Sequence, residues 1–273
     1  KLYYQVEALI FCKAIERAMY PERIIIGKKN KHEKLNYKLK NVFKKFTNKL
    51  LQMNYESAEL SKISINLMLI SSIMTSNTIA SYCEKINASW LDIIDTLKLD
   101  KRIGKFAYLR PSPGLSGGNL ERDLMNSYKF FKKKNLLKSW IKLDKEMRNW
   151  PLNIIKKNLK IKSSILVVGL SYKDGTLSTK NSLALYLHSK LKKNYNLKIF
   201  DLFISAYKKL NVKFSENLDK KKIYDCIIFV NNKYKPLKFS KNYNKNTIFI
   251  DPYGFFLDYF RKNDLKYHTI LLI

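Results

Sequence analysis

The chain has 273 residues, 46% apolar and 13% aromatic, which suffices for buried cores in more than one domain and excludes a disordered tail. Its 53 Lys and Arg against 22 Asp and Glu set a formal net charge of +31, so it attracts polyanions: nucleic acid, anionic lipid or phosphorylated small molecules. The lysines are dispersed among Asn, Ile and Tyr, as in KKNKHEKLNYKLKNVFKKFTNK (28–49), which fits an AT-rich coding bias and a solvated surface better than a binding stripe.

Residues 1–19 read as a helix, with Val6, Leu9, Ile10 and Ala14 at helical spacing. YPERIIIGKKN (20–30) then gives a turn and one β-branched strand that finishes a sheet. From Ser57 to Lys85 there is no Gly or Pro, and Leu60, Ile63, Leu67, Ile70 and Met74 recur at helical spacing, so a single long helix is expected. Its most apolar tract, ISINLMLISSIM (63–74), is too short and too broken by Ser and Asn to span a bilayer. NASWLDIIDTLKLD (87–100) opens on an Asn/Ser cap and forms a second helix. RPSPGLSGGNLERDL (110–124) is a Pro/Gly loop ending in charges, and helices follow through RDLMNSYKFFKK and LLKSWIKLDKEMRNWPLNIIKKNL.

At 161–170 the texture changes to IKSSILVVGL, a continuous apolar run ending in Gly, as expected of a buried parallel strand. NSLALYLHSKLKK is the next helix, and NLKIFDL, YDCIIFV and NTIFIDP supply three more strands. Strands alternating with helices predict a doubly wound parallel sheet, with ligands beyond the strands' carboxyl ends. The turn after the first strand carries only Gly169 and no GxGxxG, so it reads equally as a dinucleotide cradle or a bare turn. The fold class is α/β: a helical central domain with one long helix, then a Rossmann-like C-terminal domain. The expected domains are 1–50, the end of a first domain; 51–158, helical; and 159–273, α/β.

Cys12, Cys83 and Cys226 are odd in number, far apart and without a CxxC, and His32, His188 and His268 are equally scattered. Neither disulfides nor a metal site is expected. No secretory leader pattern is present, and a cytoplasmic protein without a membrane partner is expected. The chain opens on Lys1 and reads as a piece of a longer protein.

Five ordered segments resemble the UDP-glucose/GDP-mannose dehydrogenase family. AIERAMYPERIIIG (14–27) is similar to the end of the family's first domain, and ELSKISINLMLISSIMTSN (59–77) to the start of its central helix. KLDKRIG (98–104), YLRPSPGLSGGNLERD (108–123) and VVGLSYKDGTLSTKNS (168–182) follow in the family's order. The resemblance implies a nucleotide-sugar 6-dehydrogenase, an oxidoreductase that takes the C6 alcohol of a substrate such as UDP-glucose to a carboxylate with NAD, in polysaccharide biosynthesis. It implies a homodimer through the 57–85 helix, with Arg102 reaching the partner's site. It places Lys62, Asn66, Asp123 and Glu7 in catalysis, Tyr108, Gly114, Gly117 and Lys173 on the substrate, and Lys180, in place of an Arg, near the cofactor.

The chemistry of the residues agrees in part. Lys62 and Asn66 stand at i and i+4 on one helix face, where they can hold a sugar hydroxyl and its developing oxyanion or form a solvated polar stripe. Asp123 can hold a water or pair with Arg122 or a nearby Lys. Lys173, past a strand end, suits a phosphate.

Several positions depart from the family. Asn119 stands where the family has its nucleophilic Cys, and an amide nitrogen cannot form the thiohemiacetal and thioester of covalent catalysis. Ser116 replaces a loop Gly and crowds the backbone, Phe11 stands at a usual second acidic position, and Tyr253 in DPYG replaces an Arg. The GxGxxG half of the first domain lies outside these 273 residues, so hydride transfer is not expected of them alone. An impaired or altered dehydrogenase is the leading reading. A degenerate dimeric nucleotide-sugar binder and a polyanion binder are the alternatives, and nucleic acid is not an expected partner, since no RNP, zinc or helix-turn-helix signature is present.

Overall fold

The computed structural model describes residues 1–7, 9, 10, 13–132, 134–202, 214, 215, 217–219 and 221–271. The chain forms two compact units, 1–68 and 69–273. Phe11 and Cys12 lie outside the described residues.

In the first unit, strands β1 (Tyr4–Gln5), β2 (Ile24–Lys28) and β3 (Leu50–Asn54) lie in the order β1-β2-β3, with β1 antiparallel and β3 parallel to β2. The helix expected over 1–19 shrinks to α1 (Ala14–Met19). The apolar spacing is there, but the backbone of Tyr4–Val6 pairs with β2 instead, Val6 N donating to Ile25 O at 3.1 Å. Val6 is thereby buried against Ile25 and Ala58. Nor does β2 finish the sheet, because β3 lies beyond it after α2 (Tyr37–Lys44). Leu35 packs on Ile24 and Ile26, with Leu39 and Phe43 against them, so a few apolar residues inside a lysine-rich stretch make α2's inner face. Lys28, 2% exposed, ends β2 and donates to Glu33 O and, at 2.9 Å, to Gln52 Oε1, which satisfies its buried ammonium.

The long helix is α3 (Tyr55–Ile86), close to the 57–85 expected. By length and composition the whole helix is apolar enough to cross a membrane, unlike the 63–74 tract alone, and 39% of its most apolar stretch is buried within the protein. In the second unit its Ala80 and Cys83 pack with Trp90 and Ile94 of α4 (Trp90–Leu99) and Met147 of α6 (Asn135–Asn158). Ser89 caps α4 by accepting from Asp92 N. Between α4 and α6 lies α5 (Asn119–Phe130), so the loop expected over 110–124 ends at Gly118.

The C-terminal sheet runs β6-β5-β4-β7-β8-β9, every neighbouring pair parallel. Its strands are β4 (Ser164–Val168), β5 (Asn196–Phe200), β6 (Phe214–Ser215), β7 (Cys226–Phe229), β8 (Ile248–Ile250) and β9 (Tyr267–His268). Renumbered from β4, this is 3-2-1-4-5-6, the Rossmann order, whose topological switch point lies between β4 and β7. The alternation of side chains sorts the two faces by shape. Ile165, Val167, Ile199, Cys226 and Ile228 meet α6 and α7 (Leu183–Leu191) in an aliphatic core. Leu166, Val168, Phe200, Ile227 and Phe229 meet Phe239 of a 3-10 helix (Pro236–Asn242) and Phe260 of α8 (Leu257–Lys262) in an aromatic one. Phe200 and Phe229 each stand edge-on to Phe239, at 5.4 and 5.9 Å between centroids. The edge strands β6 and β9 went unread in the sequence because two-residue strands carry no periodicity.

Candidate functional site

The loop 110–118 is held from behind, residue after residue, by different elements. Asn77 of α3, completely buried, accepts from Ser112 N at 2.8 Å, and Ser112 Oγ donates to Gly114 O at 3.0 Å. Asp144 of α6 accepts from Leu115 N, and Arg148, one turn on, donates to Leu115 O at 2.6 Å and to Asp144 Oδ2 at 3.2 Å. Burial pushes the Asp144 carboxyl above its ordinary value, with Arg148 and the Leu115 N–H opposing. Ser116 hydrogen-bonds Tyr253, whose phenol burial pushes up to about 12, so this pair is neutral across working pH. Ser116 and Tyr253 thus make a contact between two of the departures noted above.

Gly117 has φ +79°, and a Cβ there would stand 3.1 Å from the Tyr172 ring, which would have to give way, so the turn favours glycine. Lys180 lies across Gly118, where an added Cβ would come within 2.5 Å of its Cδ. Asn181 donates to Gly117 O at 2.8 Å and to the Glu121 carboxylate. The result is a backbone arch that delivers the chain into α5 with Gly118 as N-cap and Asn119 exposed at the first helical position. The N–H groups of that first turn have no intrahelical partner and favour an anion or oxyanion.

The other predicted residues fall as follows. Asp123 is buried on α5 and pairs with Arg122 at 2.9 Å, one of the two roles foreseen for it. Tyr108 is half-exposed, its carbonyl accepting from Ser76 Oγ at 3.4 Å. Lys173, in the turn past β4, places Nζ 5.6 Å from the centroid of Tyr172, the ring that packs on Gly117. This joins the lysine turn to the arch through one aromatic side chain. Arg102 is bidentate to its own chain's Asp100, at 3.0 and 2.6 Å, and is well exposed. In the first unit, Lys62 and Asn66 share the α3 face as expected, Asn66 being buried. Glu7 lines a cleft of about 270 Å³ with Arg17 and Glu22, which pair with each other.

The turn after β4 is not a dinucleotide cradle. Gly169 has φ +93°, and the space beside it is filled by Asn231 from the end of β7, 2.6 Å from where a Cβ would stand. Leu170 N donates to Asp201 at 3.0 Å, and the same carboxylate accepts from Lys233 at 2.8 Å and Tyr234 at 2.7 Å. A pyrophosphate would need both the glycine's open side and free N–H groups, and the chain's own side chains take them. Gly27 is no cradle either, since a Cβ there would stand 3.0 Å from Ala58. NAD therefore does not fit the Gly169 turn or the Gly27 strand end.

Asn77, Asp144, Arg148, Tyr172, Glu121 and Asn181 were not foreseen. Asp144 and Arg148 carry an i,i+4 spacing that suggests a pair, but nothing in the sequence ties them to residue 115.

An α/β fold, with a glycine arch opening a helix beside a Rossmann-like sheet, is the class these features define. Residues 56–148 match the model of the UDP-glucose/GDP-mannose dehydrogenase family's central domain. The chain is 31% identical over 263 residues to UDP-glucose 6-dehydrogenase of Rickettsia prowazekii, covering 87% of this chain and 59% of that protein. It is also 31% identical over 200 residues to that of Rickettsia bellii, covering 69% and 45%. A UDP-glucose dehydrogenase structure from Pyrobaculum islandicum superposes with a TM-score of 0.84 at 19% identity, over 99% of this chain and 63% of that one. The chain belongs to the UDP-glucose/GDP-mannose dehydrogenase family. It spans about half the length of the curated relatives it matches.

Proposed function

We propose that this chain carries the nucleotide-sugar site of a 6-dehydrogenase acting on a substrate such as UDP-glucose, with NAD held by residues outside these 273. The observation that carries the reading is the arch at 112–118, gripped from behind and opening α5 at Asn119 beside the Lys173 turn. A diphosphate has a cation in Lys173 and helix N–H donors to meet it. On α3, Lys62 and Asn66 offer an ammonium and an amide of the kind that suits an alcohol; on α5, Asp123 offers a carboxylate of the kind that suits a water. NAD, when bound, accepts hydride. Asn119 provides no nucleophile, so oxidation by the covalent route ends at the aldehyde. We further propose a cytoplasmic homodimer built on α3, with domain boundaries near 50 and 158.

A second reading, a binding protein without turnover, is favoured by Asn119 itself. Calorimetric titration with UDP-glucose, UDP-N-acetylglucosamine and GDP-mannose at moderate salt tests the site: saturable binding of one of them is expected. No binding by a folded chain overturns the reading. Aldehyde formation by a full-length protein with NAD separates the dehydrogenase from the binder, and binding that collapses with salt and ignores the sugar marks a polyanion binder.

A further inference from the structure

We propose that Asn181 is a positioning residue, the clamp that fixes Gly117 to the first turn of α5 and so sets where Gly118 and Asn119 stand. One side-chain NH₂ makes both bonds: it donates to Gly117 O at 2.8 Å and to the carboxylate of Glu121, the third residue of α5. The clamp is itself anchored. Asn181 sits at φ +55°, a left-handed conformation that Asn tolerates better than most side chains. The next residue, Ser182, is buried and donates its hydroxyl to Leu170 O at 2.5 Å, just past β4. The turn before α7, tied to the end of β4 through Ser182, therefore presents the amide to the arch.

Glu121 extends the arrangement, since Arg148 approaches it at 3.9 Å while donating to Leu115 O. The carbonyls of Leu115 and Gly117 are thus held by two donors, Arg148 and Asn181, that meet at one carboxylate. Two protons on one nitrogen are essential. A carboxylate at 181 has none for Gly117 O and would face Glu121 as a like charge. The clamp deepens the nucleotide-sugar reading and rests on it for the ligand arm of the test alone.

The test uses the full chain with N181D, N181D/E121Q and N181G, reading hydrogen exchange over 112–121, corrected for intrinsic rate, together with UDP-glucose affinity. At about pH 8, N181D should exchange about tenfold faster over 112–121 than wild type, the worth of one hydrogen bond to a charged group, with β4 and β7 unchanged. Below about pH 4 the protonated carboxyl carries one O–H, enough for one of the two bonds, and protection should return in part. N181D/E121Q should recover part of the loss at about pH 8, because the amide introduced at 121 can donate to the carboxylate introduced at 181 and the repulsion is gone. N181G keeps the left-handed backbone without the amide, and should lose protection at every pH; it also stands in if N181D fails to fold. UDP-glucose affinity should follow the same pattern. Wild-type protection of 112–121 in N181G, or a pH-independent loss in N181D, overturns the clamp. If wild type binds UDP-glucose and N181D binds it equally at both pH values, the clamp fails while the function stands. If wild type binds no sugar nucleotide, the function fails and exchange alone judges the clamp.

Discussion

Gly169 and Gly117 both sit at positive φ in short turns beside the C-terminal sheet, and the chain uses them in opposite ways. At Gly169 the open side is filled from within by Asn231, and the following N–H goes to the buried carboxylate of Asp201. At Gly117 the open side faces one aromatic ring, the grips come from behind, and the next helix starts exposed at Asn119. A glycine at a strand end is therefore no evidence of a ligand cradle until its free side has been accounted for.

The largest effect should come from G169A. A Cβ there meets Asn231 at 2.6 Å in a conformation L-residues avoid, so a loss of about 3 kcal/mol or more is expected in denaturant unfolding. G117A should cost about 1–2 kcal/mol, since the Tyr172 ring can shift, but should abolish nucleotide-sugar binding. Equal stability losses at the two sites would break the contrast.

Asp251, beyond β8, sharpens it from the other side of the arch, since Tyr253 follows two residues later. Burial raises its carboxyl to about 6 against an ordinary 3.8, with the Phe256 N–H opposing. The native state then holds a proton that the unfolded chain has released, so this group lowers stability as pH rises from about 4 to about 6. D251N should remove that slope, worth about 2–3 kcal/mol, in the difference between variant and wild-type stabilities across that window. His188 and His268, lowered by burial, act with the opposite sign in both proteins and cancel.

K173A should weaken sugar-nucleotide binding about tenfold, the loss of one charge-assisted phosphate contact, and leave the melting temperature unchanged. Unaltered affinity would move the diphosphate away from the β4 turn. The smallest effect on stability belongs to N119C, within about 0.5 kcal/mol at an exposed helix start. Its thiol should titrate below the ordinary value of about 8.5, as helix N-termini make cysteines do, and alkylation rate against pH checks this. An ordinary thiol there would show that the α5 N-terminus does not stabilise an anion.

The strands β4, β7 and β8 were legible because each is an apolar run buried on both faces, a local signal that survives without partners. The long helix was legible for the same reason, since a period of 3.6 over eight turns leaves few alternatives. Tyr4–Val6 misled, because helical spacing in a short segment yields to a neighbouring strand's unpaired backbone. In the site, the glycines, Asn119 and Lys173 could be named from motif order.

By itself the sequence determined the family and the Rossmann-like sheet and set an Asn at position 119, all of them properties of contiguous residues. Only the tertiary structure decided that Asn231 closes the Gly169 turn and that Asn77, Asp144, Arg148 and Asn181 grip the 112–118 arch. Asn231 and Asn181 stand about 60 residues from the glycines they serve, and a hydrogen bond across that distance leaves no periodicity, charge pattern or spacing along the chain.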